Sequence, residues 1–268
     1  MRSGYGELHG NPQQLSRAGW LSPGMIGLSR RRGEKEMKPA IRRLFNEENL
    51  FLHMEKSHLC LSSATPLAVL SSAPVGGGRG CWRKLVNRHV DKDYRESDPV
   101  GETRRWLVEN GYDPEQTPTL LTAARVEDAS VIKVGDPLVQ VAAIVTAGVG
   151  NAARMGFPGP VFTDCPDQGT INIILVVDGE LTEAAMVNTV ITVTEAKAAA
   201  LQELDVKDGE GRSATGTTTD AVMIASTQRK RGKYVHAYAG AASPLGQAVG
   251  QAVREAVREA VLRERRRR

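Results

Sequence analysis

An apolar strand, a long helix and a second apolar strand follow one another between residues 169 and 225, and this order predicts a fold that mixes strands and helices. The strands cover 171–177 and 221–225. The helix runs from Thr182, an N-cap residue with Glu183 in its first turn, to Leu204. Apolar positions surround most of this helix, which indicates that it lies in the core.

Strands and helices also alternate in the other segments of the chain. We predict strands at 59–61 and 67–70 around a turn at 65–66, a helix at 100–110, strands at 119–126 and 138–146, and a final helix that starts at Ser243 and Pro244. Valine recurs every four residues from Val249 to Val261 beside a matching series of alanines, which is typical of a stripe that packs on the body. The fold class is therefore α/β in the broad sense (α+β), with mixed sheets and long Ala-rich helices.

The charge of the chain is unevenly distributed. Of a net charge of +4 over 268 residues, residues 1–36 and 250–268 together hold +7, which leaves −3 between them. We expect residues 1–36 to be a disordered basic extension, residues 37–262 a single domain and residues 263–268 a basic tail. The mildly acidic body argues against nucleic acid as a partner.

Cysteine usage and hydropathy indicate the compartment. Cys60, Cys81 and Cys165 form no CxxC pair and are odd in number, so neither a disulfide framework nor a zinc ribbon is indicated. The apolar runs fall short of the roughly 20 residues that a membrane span needs, and no secretory leader pattern follows the basic amino terminus. We therefore predict a cytoplasmic protein without a membrane partner.

Uncharged polar residues stand within apolar segments, where they need partners or a function. Asn172 lies between two isoleucines of the 171–177 strand, and its amide serves either a structural role or an oxyanion or substrate amide. The run from Thr215 to Asp220 concentrates hydroxyls beside a carboxylate. Such a run forms a polar turn, binds phosphate or amide groups, or supplies a nucleophilic threonine.

The stretch from Asn87 to Tyr94 indicates acid–base chemistry if it is extended. Asn87, His89 and Asp91 then share one side of a strand, which places an amide, an imidazole and a carboxylate together. The alternative is a solvated edge strand. Glu195 and Lys197 are two residues apart on the long helix and cannot share a face, and each is either a salt-bridged structural residue or a catalytic one.

Two other patterns point away from cofactors. Gly148 to Ala153 matches the G-x-G-x-x-A dinucleotide fingerprint, but residues 154–169 contain three prolines where the required helix would be, so we interpret the match as a tight turn. The five histidines show no metal-ligand spacing. We predict no metal and no resident cofactor.

These motifs together resemble the adenosylcobinamide amidohydrolase (CbiZ-type) family. The resemblance rests on Leu70–Ala73 before Gly77 and Gly78, Arg88–Val90, Leu121–Ala124, Val145–Asn151, Gly169–Ile174, Thr194–Lys197, Ala214–Thr217 with Asp220, and Ala242–Gly246. A further likeness to DmpA-type aminopeptidases and ornithine acetyltransferases implies an αββα layered sandwich.

The resemblance implies an enzyme of corrinoid salvage that hydrolyses the aminopropanol amide of adenosylcobinamide and releases adenosylcobyric acid. The corrinoid would be a substrate and not a bound cofactor. Two alternatives remain: a corrinoid carrier without turnover, and a peptidase or acyltransferase with an amino-terminal nucleophile. The sequence also leaves room for a homo-oligomer.

We therefore expect either a hydroxyl of the Thr215–Thr219 run, or a water activated by His89 or Glu195, to attack the amide carbonyl, with Asn151, Asn172 and backbone amides holding the oxyanion. The predicted catalytic residues are His89, Asn172, Glu195 and Thr217. The predicted substrate-binding residues are Ser71, Ser72, Gly77, Asn87, Asn151, Thr170, Thr194, Lys197, Thr215 and Asp220.

Overall fold

The computed structural model describes residues 40–45, 49–135, 137–158 and 169–267. The strands are β1 (Ala40–Arg43), β2 (Leu50–Met54), β3 (His58–Ser71), β4 (Gly78–His89), β5 (Thr119–Thr122), β6 (Ser130–Gly135), β7 (Gln140–Ala147), β8 (Ala152–Ala153), β9 (Ile171–Asp178), β10 (Gly216–Thr217) and β11 (Ala221–Ser226). The helices are α1 (Pro99–Glu109), α2 (Glu183–Glu203) and α3 (Pro244–Arg265), with a 3-10 turn at Val126–Asp128.

Nine strands form one mixed sheet in the order β1-β2-β3-β11-β9-β7-β6, and β4 joins β3 on one edge and β5 on the other. The strand β11 lies between β3, which is antiparallel to it, and β9, which is parallel to it. The short strands β8 and β10 pair separately. Because β9 and β11 are parallel, residues that precede both strands meet at one edge of the sheet.

Two apolar clusters lie on opposite faces of β7, β9 and β11, because side chains alternate along a strand. Ala143 and Leu175 pack against α2 and α3, whereas their neighbours Ile144 and Ile174 face the side chains of β2, β3 and β4. The sheet therefore folds over its own core. Buried apolar surface of this kind contributes about 25 cal/mol per Å².

Helix α1 covers the outer face of β3 and β4. Trp106 of α1 lies edge-on to His58 at 5.3 Å between ring centroids, and the guanidinium of Arg88 stacks over the same indole at 4.8 Å. The layers thus run from α2 and α3 through two strand layers to α1. The mixed α+β class is confirmed.

The predicted helices are confirmed. Thr182 and Ser243 cap α2 and α3 as expected, since their hydroxyls accept hydrogen bonds from Ala185 N and Gly246 N at 3.1 and 3.0 Å. The predictions for strands fail where pairing overrides local signals. The chain does not turn back at 65–66 but continues as the single strand β3, whose pairing with β4 shifts register between Ser62 and Leu67. The strand at 119–126 ends at Thr122.

Residues 148–158 support the interpretation of the glycine pattern as a turn, because after β7 the chain enters the two-residue strand β8 and no helix. The predicted extension at 1–36, Cys165 and two of the three prolines lie outside the described residues. Within the described ranges, no helix combines the length and the apolar character that a membrane crossing requires.

Candidate active site

The carboxylate of Asp220 organises the edge of the sheet at which β9 and β11 begin. Its Oδ1 accepts a hydrogen bond from Ile171 N at 3.0 Å, which joins the two parallel strands. Beside it, the Thr170 hydroxyl donates to Thr219 O at 2.8 Å. The two strand starts are therefore bound together by side chains as well as by their ladder.

Helix α2 supplies a cation to the same carboxylate. The Lys197 ammonium contacts Asp220 Oδ2, and the two side chains are only 12% and 15% exposed. Thr217 donates twice to Asp220, through its backbone N to Oδ2 at 3.1 Å and through its hydroxyl to Oδ1. Gly216 fits here because a Cβ would lie 2.8 Å from Lys197 Nζ and would also clash with the carboxylate.

A second network begins at Asn172, which is 1% exposed. Its Nδ2 donates to Asn87 Oδ1 at 2.9 Å and to Leu121 O at 2.7 Å, while its Oδ1 lies 3.2 Å from the Thr170 hydroxyl, whose single hydrogen is shared with the nearer Thr219 O. Asn87 in turn donates to Thr146 Oγ1 at 2.9 Å. Both hydrogens of the Asn172 amide are used inside the protein, so this geometry assigns Asn172 to holding the strand layers together rather than to an oxyanion.

Thr170 connects the two networks, which together we name the polar cluster. Its members are Asn87, Thr146, Thr170, Asn172, Lys197, Thr217 and Asp220.

Four hydroxyls of the threonine-rich run have different partners. Thr215 Oγ1 accepts from Met155 N at 2.9 Å, Thr218 Oγ1 accepts from Asn151 Nδ2 at 2.6 Å, and Thr219 donates to Gly169 O at 2.8 Å. Thr217 differs because its hydroxyl donates to a carboxylate. A hydroxyl that donates to a base held by a third group has the arrangement of an activated nucleophile.

Asn151 stands beside this run. One N–H of its amide is given to Thr218, and its Oδ1 is buried without a hydrogen-bond partner among the described residues. An unsatisfied buried acceptor costs free energy unless it is used. Among the described residues only one of the two N–H groups of the Asn151 amide has a partner, so the second N–H is the one that can donate to an oxyanion, whereas Oδ1 can only accept.

His89 lies at the end of β4, on the same side of that strand as Asn87. Its Nδ1 is 3.0 Å from Ala124 O, and a carbonyl can only accept, so Nδ1 carries the proton and a neutral ring has its lone pair on Nε2. His89 also lines a cavity of about 720 Å³. Asp91 lies beyond the end of β4, so the predicted strand face is shorter than expected.

The backbone of β4 next to His89 is braced by Arg88, which forms a bidentate ion pair with Glu102 at 2.5 and 2.7 Å. This bond holds the pKa of Glu102 below its ordinary value. Tyr94 donates to the same carboxylate at 2.9 Å, and burial together with that contact raises the pKa of Tyr94 to about 12. The tyrosine therefore stays protonated and the brace persists at neutral pH.

Several predicted site residues lie apart from the polar cluster. Glu195 is exposed on α2, and the Thr194 hydroxyl donates to Val190 O of its own helix at 2.9 Å. Asn188 and Thr192, two turns and one turn earlier on the same side of α2, instead form hydrogen bonds with Ala239.

Ser71, Ser72 and Gly77 form the end of β3 and the turn after it. Ser71 Oγ accepts from Ala73 N at 3.0 Å, and the Ser72 hydroxyl accepts from Val222 N at 2.9 Å. A Cβ on Gly77 would clash with Ala73 O. These contacts account for all three residues through turn and strand structure, near the start of β11.

Sequence reasoning missed three parts of this site: Thr146, the carbonyl of Leu121, and the cavity-lining residues Arg95, Glu96 and Arg125. A threonine at the end of an apolar strand was the available signal for Thr146. In the described ranges, no group of three or more His, Cys, Asp or Glu side chains forms a metal-binding arrangement.

Comparison with solved structures gives distant likenesses. A beta-aminopeptidase of Burkholderia sp. superposes with a TM-score of 0.39 at 11% identity over 79% of each chain. A protein of Pyrococcus horikoshii OT3 gives 0.38 at 14% identity, over 80% of this chain and 77% of that one.

Sequence comparison gives nearer relatives. The chain is 30% identical over 182 residues to an adenosylcobinamide amidohydrolase of Methanosarcina mazei, which covers 66% of this chain and 81% of the relative. It is 34% identical over 148 residues to one of Halobacterium salinarum, of which 58% is covered, and 31% identical to an uncharacterized protein of Methanocaldococcus jannaschii, of which 59% is covered. The match thus spans less than two thirds of these last two proteins.

The family model of adenosylcobinamide amidohydrolases matches residues 42–268, which include every member of the polar cluster and the cavity beside His89. The chain therefore belongs to the adenosylcobinamide amidohydrolase family, whose members are named as hydrolases of an amide bond.

Proposed function

We propose that this protein hydrolyses the amide between the corrin ring system and the aminopropanol group of adenosylcobinamide, in corrinoid salvage. The products are adenosylcobyric acid and aminopropanol. The family membership supports the reaction class. The observation that carries the chemistry is the Thr217 hydroxyl on Asp220, with Lys197 on the other carboxylate oxygen.

In this proposal Thr217 Oγ1 attacks the carbonyl carbon of the amide while its proton passes to Asp220. The C–N bond then breaks, and that proton leaves with the amine of aminopropanol. Water next attacks the ester on Thr217, which releases the carboxylic acid of the corrinoid and restores the hydroxyl.

Lys197 holds the carboxylate of Asp220 in place as it receives the Thr217 proton and passes it on to the amine, and Asn151 stands beside the threonine run as the oxyanion donor. One such donor contributes roughly 3 to 4 kcal/mol to transition-state stabilisation.

A direct hydrolysis by water activated at Nε2 of His89 is the competing route for the same reaction. Its support is the tautomer fixed by Ala124 O and the cavity that His89 lines. The two routes give the same products but differ in one intermediate: only the first passes through an ester on Thr217.

The experiment is to incubate the purified full chain with adenosylcobinamide and follow adenosylcobyric acid and free aminopropanol by mass spectrometry. We expect both in equal amounts, and rapid acid quenching should reveal a Thr217 peptide heavier by the corrinoid acyl group. Turnover without that adduct in the wild type, together with loss of turnover in a His89→Gln variant, would move the chemistry to water. Binding of intact substrate without products would make the protein a carrier.

A further inference from the structure

A cavity of about 720 Å³ lies beside His89, between the segment that follows β4 and the segment that follows β5. Six of the side chains that line it are charged, three of each sign, namely Asp91, Lys92, Asp93, Arg95, Glu96 and Arg125. The charges cancel, so the cavity presents no net field of one sign.

Some exposed charges elsewhere on the surface form ion pairs, as in Arg79 with Glu183 and Arg254 with Glu203. In the part of the chain that the structure describes, none of the six side chains around the cavity forms a hydrogen bond or an ion pair, although charges of both signs are adjacent. The cavity therefore holds free donors and free acceptors side by side.

The wall that carries these groups is fixed to the protein. Tyr94, in the middle of the segment, donates to Glu102 of α1, and Val90 N donates to Thr122 O of β5 at 2.9 Å. The start and the middle of the segment that carries residues 91–96 are thus anchored, while the charged side chains themselves extend into solvent.

The chemistry of such a lining selects a particular ligand. A primary carboxamide donates through its NH₂ and accepts through its C=O, and it is neutral. Carboxylates facing the NH₂ groups and ammonium or guanidinium groups facing the carbonyls would satisfy several carboxamides at once, with charge-assisted hydrogen bonds. An anion would use only half of the lining.

The cavity also adjoins the polar cluster. Ala124, whose carbonyl holds His89, packs beside Gly148, where a Cβ would lie 3.7 Å from both Ala124 Cβ and Thr170 N. The cavity wall is therefore connected through Ala124 and Gly148 to Thr170 of the polar cluster.

We infer that this cavity is the subsite that binds the carboxamide-bearing rim of the corrinoid, with Lys92, Arg95 and Arg125 binding carbonyls and Asp91, Asp93 and Glu96 binding amide N–H groups. The inference rests on the proposed function for the identity of the ligand.

Two charge variants of opposite sign test it: Arg95→Ala with Arg125→Ala, and Asp93→Ala with Glu96→Ala. Because a neutral carboxamide rim uses both sets, both variants should raise Kd for cobinamide and KM for adenosylcobinamide by about tenfold, with kcat within threefold of wild type. Arg83→Ala, an exposed residue of β4 outside the cavity, is the matched control and should leave both constants unchanged.

The outcomes separate this inference from the proposed function. Tighter binding after removal of the acids and weaker binding after removal of the bases would indicate an anionic ligand and overturn the inference. Unchanged Kd and KM in both variants of an active enzyme would also overturn it and leave the hydrolysis standing. Weakened cobinamide binding in both variants of a protein without turnover would support the subsite and reject the hydrolysis.

Discussion

The ammonium of Lys197 and the carboxylate of Asp220 form an ion pair that joins the middle of α2 to the start of β11. Both side chains are largely withdrawn from water, and the same carboxylate also receives Ile171 N and two groups of Thr217. The starts of β9 and β11 thus share one carboxylate, and that carboxylate is paired with one ammonium group.

Removing the ammonium group of Lys197 should therefore destabilise the folded protein. Lys197→Met keeps the length of the side chain but leaves Asp220 partly buried without its ion-pair partner, which we expect to lower the free energy of unfolding by about 3 kcal/mol. Activity should fall more than the folded fraction does. Urea denaturation and single-turnover rates at a temperature where the variant is folded check this. A Lys197→Met protein with wild-type stability would show that the pair is solvent-screened.

The hydroxyl of Thr217 should be needed for chemistry more than for stability. Thr217→Val preserves the shape of the side chain and should lower kcat roughly a thousandfold or more, while costing about 1 kcal/mol of stability through the lost hydrogen bond. Thr217→Ser should keep much of the activity. Steady-state kinetics with far-UV circular dichroism distinguish the two effects, and an active Thr217→Val enzyme would exclude this residue as the nucleophile.

Gly216 should not tolerate even one methyl group. A Cβ there would contact Lys197 Nζ and Asp220, so Gly216→Ala should cost about 2 kcal/mol and reduce turnover by displacing the ion pair. Gly209→Ala is the matched control, because a Cβ at Gly209 meets no atom within 4 Å. Thermal melting of both variants measures the difference. Equal melting temperatures would mean that the threonine run adjusts freely.

The docking of α1 should weaken in mild acid through His58. This histidine is 5% exposed, with Tyr112 Oη at 2.7 Å from its Nε2, and burial lowers its pKa from the ordinary 6.5. Below pH 6.5 the unfolded chain takes up a proton that the folded protein binds only at lower pH, so stability falls as the pH drops through this window. Stability above pH 6.5 carries no such loss.

The measurement is the free energy of unfolding at pH 7.5, 6.5 and 5.5 for the wild type and for His58→Gln. The wild type should lose stability over this range, and the variant should lose less, because it lacks the titrating ring. Identical slopes for both proteins would show that His58 keeps its ordinary pKa when folded.

Local sequence signals predicted those elements whose stability is local. The capping residues Thr182 and Ser243 predicted the first residue of α2 and of α3 to within one position. The apolar stripe of the last helix predicted which of its faces packs on the body. The partners of Asn172 could not be predicted in this way. Asn87 and Leu121 are 85 and 51 residues away, and only the folding of the sheet over its own core brings them together.

Helical periodicity places Asn188, Thr192 and Glu195, at i, i+4 and i+7, on one stripe of α2. The first two form hydrogen bonds with the N–H and C=O of Ala239. The spacing does not tell which of these residues are covered, because that depends on the distant segment at Ala239, which leaves Glu195 exposed. Lys197, on a different face, is the residue of this helix that reaches the polar cluster.

The position of β11 has a consequence for the order in which the molecule can be completed. This strand is among the last to be synthesised, yet it inserts between β3 and β9 and follows directly on the carboxylate at Asp220. A nascent chain on the ribosome therefore has a gap in the middle of its sheet until residues up to Ser226 have emerged. The Thr217–Asp220 pair directly precedes β11, so the proposed reacting groups come together only as that gap closes.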